Sequence, residues 1–170
     1  MNAVTSRSPF QGVRVTIETH RPFEEVLDSF RAQMGKTSIP DIVRLAVESP
    51  DETTYAREIE TRYVGKSGFI IFYEVDHGGW LARFGINRRV LRVIFGNPLV
   101  AITMLREDLS AGLFVPVEVL LTDSPGGGTT FSYVEPSSLI DIDPNNTAVR
   151  AAAKLLDAKI SALVGALFDD

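Results

Sequence analysis

Between residues 12 and 35 the hydrophobic period of the chain changes once, from two to nearly four. Val13, Val15 and Ile17 alternate with Arg14, Thr16 and Glu18, as in a strand with one buried face. Pro22 then suits the first turn of a helix and Glu24 and Glu25 complement its positive end. Phe23, Val26, Leu27, Phe30 and Met34 share one face before Gly35. Residues 1–11, with Ser6, Ser8 and Pro9, carry no such pattern and read as a loose N-terminal arm.

Residues 36–66 are more polar and are expected to form a helical insertion. Ser38 and Pro40 open a short helix through Val47, which Ser49-Pro50-Asp51 breaks. From Asp51 towards Val64 a thin stripe of Tyr55, Ala56, Ile59 and Tyr63 fits a second helix, with a strand ending at Gly65 as the alternative. The run from Gly68 to Asp76 is apolar on both faces for most of its length, the pattern of a central strand covered on both sides. Trp80 to Ile86 fits one or two helical turns and Val90 to Phe95 a strand. Asn97-Pro98 starts a helix with Leu99, Ile102, Leu105 and Leu109 along one side.

Phe114 to Thr122 is predicted to be a strand with Val115, Val117, Val119 and Leu121 on one face. A Pro- and Gly-rich turn, Asp123 to Gly128, leads into another over Thr129 to Glu135. Asp143-Pro144-Asn145-Asn146-Thr147 is a dense helix-start signal. After it Val149, Ala152, Ala153, Leu156, Ile160, Leu163 and Leu167 form an unbroken apolar face. The whole predicts a single α+β domain over residues 1–170, with an antiparallel sheet of about five strands packed by helices and a long C-terminal helix.

Composition narrows the chemistry. With 170 residues, 45% hydrophobic, and ten Phe, the chain can fill a core without covalent staples. It contains no cysteine, which removes disulfides, thiolate nucleophiles and Cys-based metal sites and fits a cytoplasmic location. A net charge of -5 speaks against a nucleic-acid partner. No run of about 18 apolar residues suggests a membrane partner. No His or carboxylate spacing suits a metal, and no cofactor is expected.

Four motifs stand in order: Phe-Tyr-Glu-Val-Asp-His at 72–77, Ile-Phe-Gly-Asn-Pro at 94–98, Gly-Leu-Phe-Val-Pro-Val-Glu-Val-Leu at 112–120, and Ser-Tyr-Val-Glu-Pro at 132–136. Through them the chain resembles the family catalogued as domain of unknown function 302. The first strand and helix look like the family's opening, while residues 36–66 are longer and more helical than usual. The resemblance implies a compact α+β fold with an antiparallel sheet, frequent dimers and no assigned activity, so a homodimer is expected. The family's usual Asp before its Leu-Pro step is Phe114 here, and its Gly-Thr after the Asn-Pro helix start is Ala101-Ile102. Both departures imply a more apolar site.

The most suggestive chemistry lies at Asp76-His77-Gly78-Gly79-Trp80. A histidine follows a strand there, and two glycines permit close approach. In a structural reading, His77 donates to a backbone carbonyl and the glycines only turn the chain. Adjacent strand residues face opposite sides, which weakens an Asp76–His77 dyad. Glu74 and Glu118 interrupt apolar strands, and Arg83, Arg88, Arg89 and Arg92 form either an anion grip or a salt-bridged surface. Asn97 stands at a helix start, and Trp80, Phe84, Tyr73 and Tyr133 offer aromatic surface.

The leading expectation is binding of a small apolar or aromatic molecule near this segment. Trp80 and Phe114 are its walls, His77 its polar contact, and Arg83, Asn97, Glu118 and Tyr133 further ligand-binding residues. One alternative is a cofactor-independent isomerase, cyclase or lyase acting on a hydrophobic carbonyl compound. In it His77 is the general base and Arg83 or Tyr133 stabilises negative charge. The other is a structural or interaction module.

Overall fold

The computed structural model describes residues 3–141 and 143–168; the first two residues of the expected arm lie outside them. β1 (Arg14–Thr19), β2 (Gly35–Lys36), β3 (Ile70–Asp76), β4 (Val90–Gly96), β5 (Val117–Asp123) and β6 (Thr129–Val134) form one sheet. Its order is β1-β6-β5-β4-β3-β2. All neighbours are antiparallel except β2 and β3, which run parallel. The sheet is thus six-stranded and mixed. β2 eluded the sequence because two residues cannot display a period; it exists because Gly35 and Thr37 donate their amides to Phe69 and Ile71.

Strand alternation separates two faces. Val15, Ile17, Ile71, Leu91, Val93, Phe95, Val117, Val119, Leu121, Phe131 and Tyr133 point to the side covered by α1 (Phe23–Gln33) and α7 (Thr147–Phe168). Phe30, 0% exposed, brings its ring edge-on to Phe95 at 5.7 Å and tilted against Phe131 at 5.8 Å. The seven apolar positions expected along the last helix are all buried on α7. The first turn of α6 (Pro136–Ile140) is tied to α7 through Asp157, whose Oδ1 accepts the Ser137 amide at 2.9 Å.

The opposite face carries Thr16, Arg92, Glu118, Leu120 and Ser132. At its β3 end, α2 (Ile39–Glu48) and α3 (Glu52–Arg62) close a smaller cluster of Ile42, Leu45 and Ile59 on Ile70. The helical reading of 52–62 therefore holds over its strand alternative. Ser38 caps α2 and Asp51 caps α3. The neck of this excursion is closed by glycines: a Cβ on Gly35 would fall on the Tyr63 carbonyl, and one on Gly65 on the Gly35 amide.

Three local expectations are corrected. β3 starts at Ile70 and is sheltered only at its beginning, because β2 pairs with Ile70 and Ile71 alone and a bulge then separates Ile71 from Tyr73; Tyr73 is 64% exposed. β5 starts at Val117, since Phe114 ends a 3-10 turn (Leu109–Leu113) and Pro116 has no amide to pair. α5 (Pro98–Leu105) buries Met104 rather than a Leu99/Ile102/Leu109 stripe. It sits between the two clusters, so Leu99 packs on the small one while Val100 and Leu105 pack on the large one.

Phe30→Ala should therefore lower stability by about 3–5 kcal/mol, read as a lower urea midpoint with the slope unchanged.

Candidate functional site

The strand end after β3 is built by backbone pairing. The His77 amide donates to the Val90 carbonyl at 2.8 Å, extending the β3–β4 ladder by one bond. Asp76 lies opposite Leu91, and its Oδ1 accepts the Gly79 amide at 3.1 Å, holding the turn into α4 (Gly78–Leu81). Its carboxylate thus serves the chain's own backbone, and no Asp76–His77 hydrogen bond forms among the described residues. The His77 and Trp80 rings stand edge-on at 6.0 Å and Trp80 and Phe84 at 6.1 Å. Trp80 is 54% and Phe84 73% exposed, so they make an outward aromatic row rather than pocket walls. Arg83, in the 3-10 turn Ala82–Phe84, is exposed as well.

Below this row, between α1 and the β3–β4 end, lies a charged cleft bordered by Glu24, Arg31, Glu74, Asp76, Arg88 and Arg89. Its arginines have partners. Arg31 grips Glu74 in bidentate fashion at 2.9 and 2.7 Å, Arg88 reaches Asp123 at 2.9 Å, and Arg89 pairs with Glu24. Hydrogen bonds from Arg31 hold the Glu74 carboxyl below the usual range, against the opposing effect of burial. Arg92 pairs with Glu118 on the open face. The salt-bridged alternative for the arginine cluster is thus the one observed for Arg88, Arg89 and Arg92.

The remaining expected residues lie elsewhere. β3 and β5 run in the same direction, both antiparallel to β4. Phe114 before β5 and Trp80 after β3 are therefore at opposite ends of the sheet and cannot wall one pocket. Phe114 meets Phe10 of the N-terminal segment edge-on, with ring centroids 5.7 Å apart. Tyr133 packs against the large cluster beside Phe131, and burial pushes its phenol up in pKa. Glu118 borders a shallow hollow on the open face with Arg14, Thr16, Arg92 and Ser132.

Asn97 leads to a different place. Its Oδ1 accepts the Leu99 amide at 2.8 Å and its Nδ2 donates to the Gly68 carbonyl at 2.9 Å, capping α5 and anchoring it to the start of β3. Beneath α5 opens a cavity of about 160 Å³ whose walls include Ile42, Phe72, Ala101, Met104, Pro116 and Leu156. Asn97 is the one polar side chain in that lining among the described residues, and both ends of its amide are in use. Ala101, noted in the sequence as an apolar departure, is part of the wall; Phe72 and Pro116, which belong to the quoted motifs, and Leu156, in the stripe of the last helix, were not expected at a site. They come from three remote segments and meet only through packing.

No group of three or more potential metal ligands occurs among the described residues, and no helix there is long and apolar enough to cross a membrane. The fold defines an α+β protein with helices across one face of a mixed sheet and an apolar cavity at its corner. Over residues 45–167 the chain matches the family described as Domain of unknown function DUF302, and it belongs to that family. A similar solved structure is that of an uncharacterized conserved DUF302 protein from Bacillus stearothermophilus. It superposes with a TM-score of 0.63 over 91% of this chain and 97% of that one, at 15% identity, a likeness of fold. No curated protein matches the chain.

Because the Glu74 carboxyl is lowered, its pairing with Arg31 stabilises the fold above the unfolded carboxylate pKa and is lost as the pH falls through the folded value. Glu74→Gln should be less stable than wild type at neutral pH, with the gap closing on acidification in thermal unfolding series.

Proposed function

We propose that the chain binds a small apolar or aromatic molecule, and that the molecule enters the cavity beneath α5 rather than the exposed Asp76–Trp80 segment. The observation that carries this reading is the cavity's apolar lining, in which the only polar side chain among the described residues, Asn97, already donates to the Gly68 carbonyl and accepts the Leu99 amide. At about 160 Å³, the space is of the order of an apolar cavity of roughly 150 Å³ that takes benzene. The acid–base alternative is less favoured: His77, Arg83, Glu118 and Tyr133 do not converge, since the first two follow β3, Glu118 faces outward and Tyr133 packs inward.

In this reading the protein acts as a homodimer through the open sheet face. Leu120, 37% exposed, and Tyr73 supply apolar surface there, and Arg14, Arg92 and Glu118 supply both signs of charge, as a surface that meets its own copy needs.

Benzene, used as the probe and followed by ligand-observed NMR, should bind wild type and His77→Ala alike, while Ala101→Phe, which fills the cavity, weakens binding at least about tenfold. Equal binding by Ala101→Phe and wild type would end the cavity reading. Leu120→Glu should sediment as a monomer where wild type sediments as a dimer; a wild-type monomer at micromolar concentration would remove the dimer.

A further inference from the structure

The cavity beneath α5 adjoins a second hollow along α2 and α5, and the two make a seam. Ile39 and Ile42 border the deep space, and Ala46 and Ser49, further along the same face of α2, border the second hollow. Pro98, Ala101 and Leu105, also on one helix face, belong to both. From Ile39 to Ser49 the seam follows about 15 Å of helix. Its two ends differ in chemistry. The deep end is closed by Met104 and Leu156, both buried, and offers no free polar partner. The outer hollow, about 610 Å³, is bordered by Ser49, Asp51, Glu52, Tyr55 and Arg106.

Charge at the outer end selects against acids. Arg106 is already paired with Glu52, and Asp51 caps α3 by accepting the Thr54 amide at 2.7 Å, so the carboxylates outnumber the guanidinium. An anionic group placed there meets a surplus of negative charge. The phenol of Tyr55, held protonated by burial, and the hydroxyl oxygen of Ser49, whose hydrogen goes to the Leu45 carbonyl at 2.7 Å, can serve an uncharged oxygen function.

We propose, resting on the cavity reading above, that the ligand is a linear amphiphile with an uncharged head, such as a primary alcohol or ester. Its tail lies under α5 and its head at the Ser49–Tyr55–Arg106 end of the seam. A compact apolar probe fills only the deep space, whereas a chain uses both.

Displacement of the benzene probe tests this with hexanol, decanol and decanoate. Decanol should compete at least about tenfold better than hexanol, since each added methylene finds apolar wall, and decanoate at least about tenfold worse than decanol. Ala46→Trp, at an exposed position bordering only the outer hollow, should leave probe binding intact and abolish the advantage of decanol over hexanol. Probe binding with equal competition by hexanol and decanol, or decanoate matching decanol, would overturn the seam proposal and leave the cavity reading standing. Absence of probe binding altogether overturns both.

Discussion

The structure depends on covering one face of a twisted sheet, and the Phe30 ring is at the centre of that cover. Lodged between Phe95 on β4 and Phe131 on β6, it fixes α1 across strands that are remote in sequence, and α7 completes the layer with its seven-position stripe. Burial of large apolar side chains is the main favourable term in folding, and these rings supply much of it. Once that face is closed, the alternation of every strand is decided, because a slip of one residue would turn Arg92 and Glu118 into the core and Val93 and Val119 out of it. The open face, the charged cleft and the apolar corner are what remains around that layer.

The parts of the fold governed by a repeated pattern were legible in the sequence. The stripe of α7, the alternation of β1 and the caps of α2 and α5 follow local rules, and the structure repeats them. The sheet was read as antiparallel with about five strands; the sixth, β2, is held only by amides that the sequence cannot pair in advance. β3 was read as central from its apolar composition, yet the composition reflects two different covers. Ile71 faces the large cluster, Ile70 the small one, and beyond the bulge the strand is largely uncovered.

The site was less legible for a different reason. His77 drew notice by its chemistry and its two glycines, but the local structure uses Asp76 and both glycines to turn the chain, leaving a row of edge-on rings outside. The cavity, by contrast, is lined mostly by apolar residues that the motifs at 72–77, 94–98 and 112–120 contain without marking them as a site. Its traces in the sequence were Asn97, expected at a helix start, and Ala101, noted as an apolar position. The cavity is a shape left between elements, and Phe72, Pro116 and Leu156 line it from three segments that no local window contains.

The pinched neck at Gly35 and Gly65 makes residues 38–64 an excursion whose two stems touch where it leaves the sheet. The rest of the protein sees little more than that junction and the helices' inner side. Such a piece can lengthen, shorten or change its lining over evolution while β3 to β6 stay in register, because strand pairing does not pass through it. α2, through Ile39 and Ile42, supplies one wall of the cavity beneath α5 and belongs to this excursion. The shape of that cavity can then change through the excursion alone, with the frame of strands left as it is.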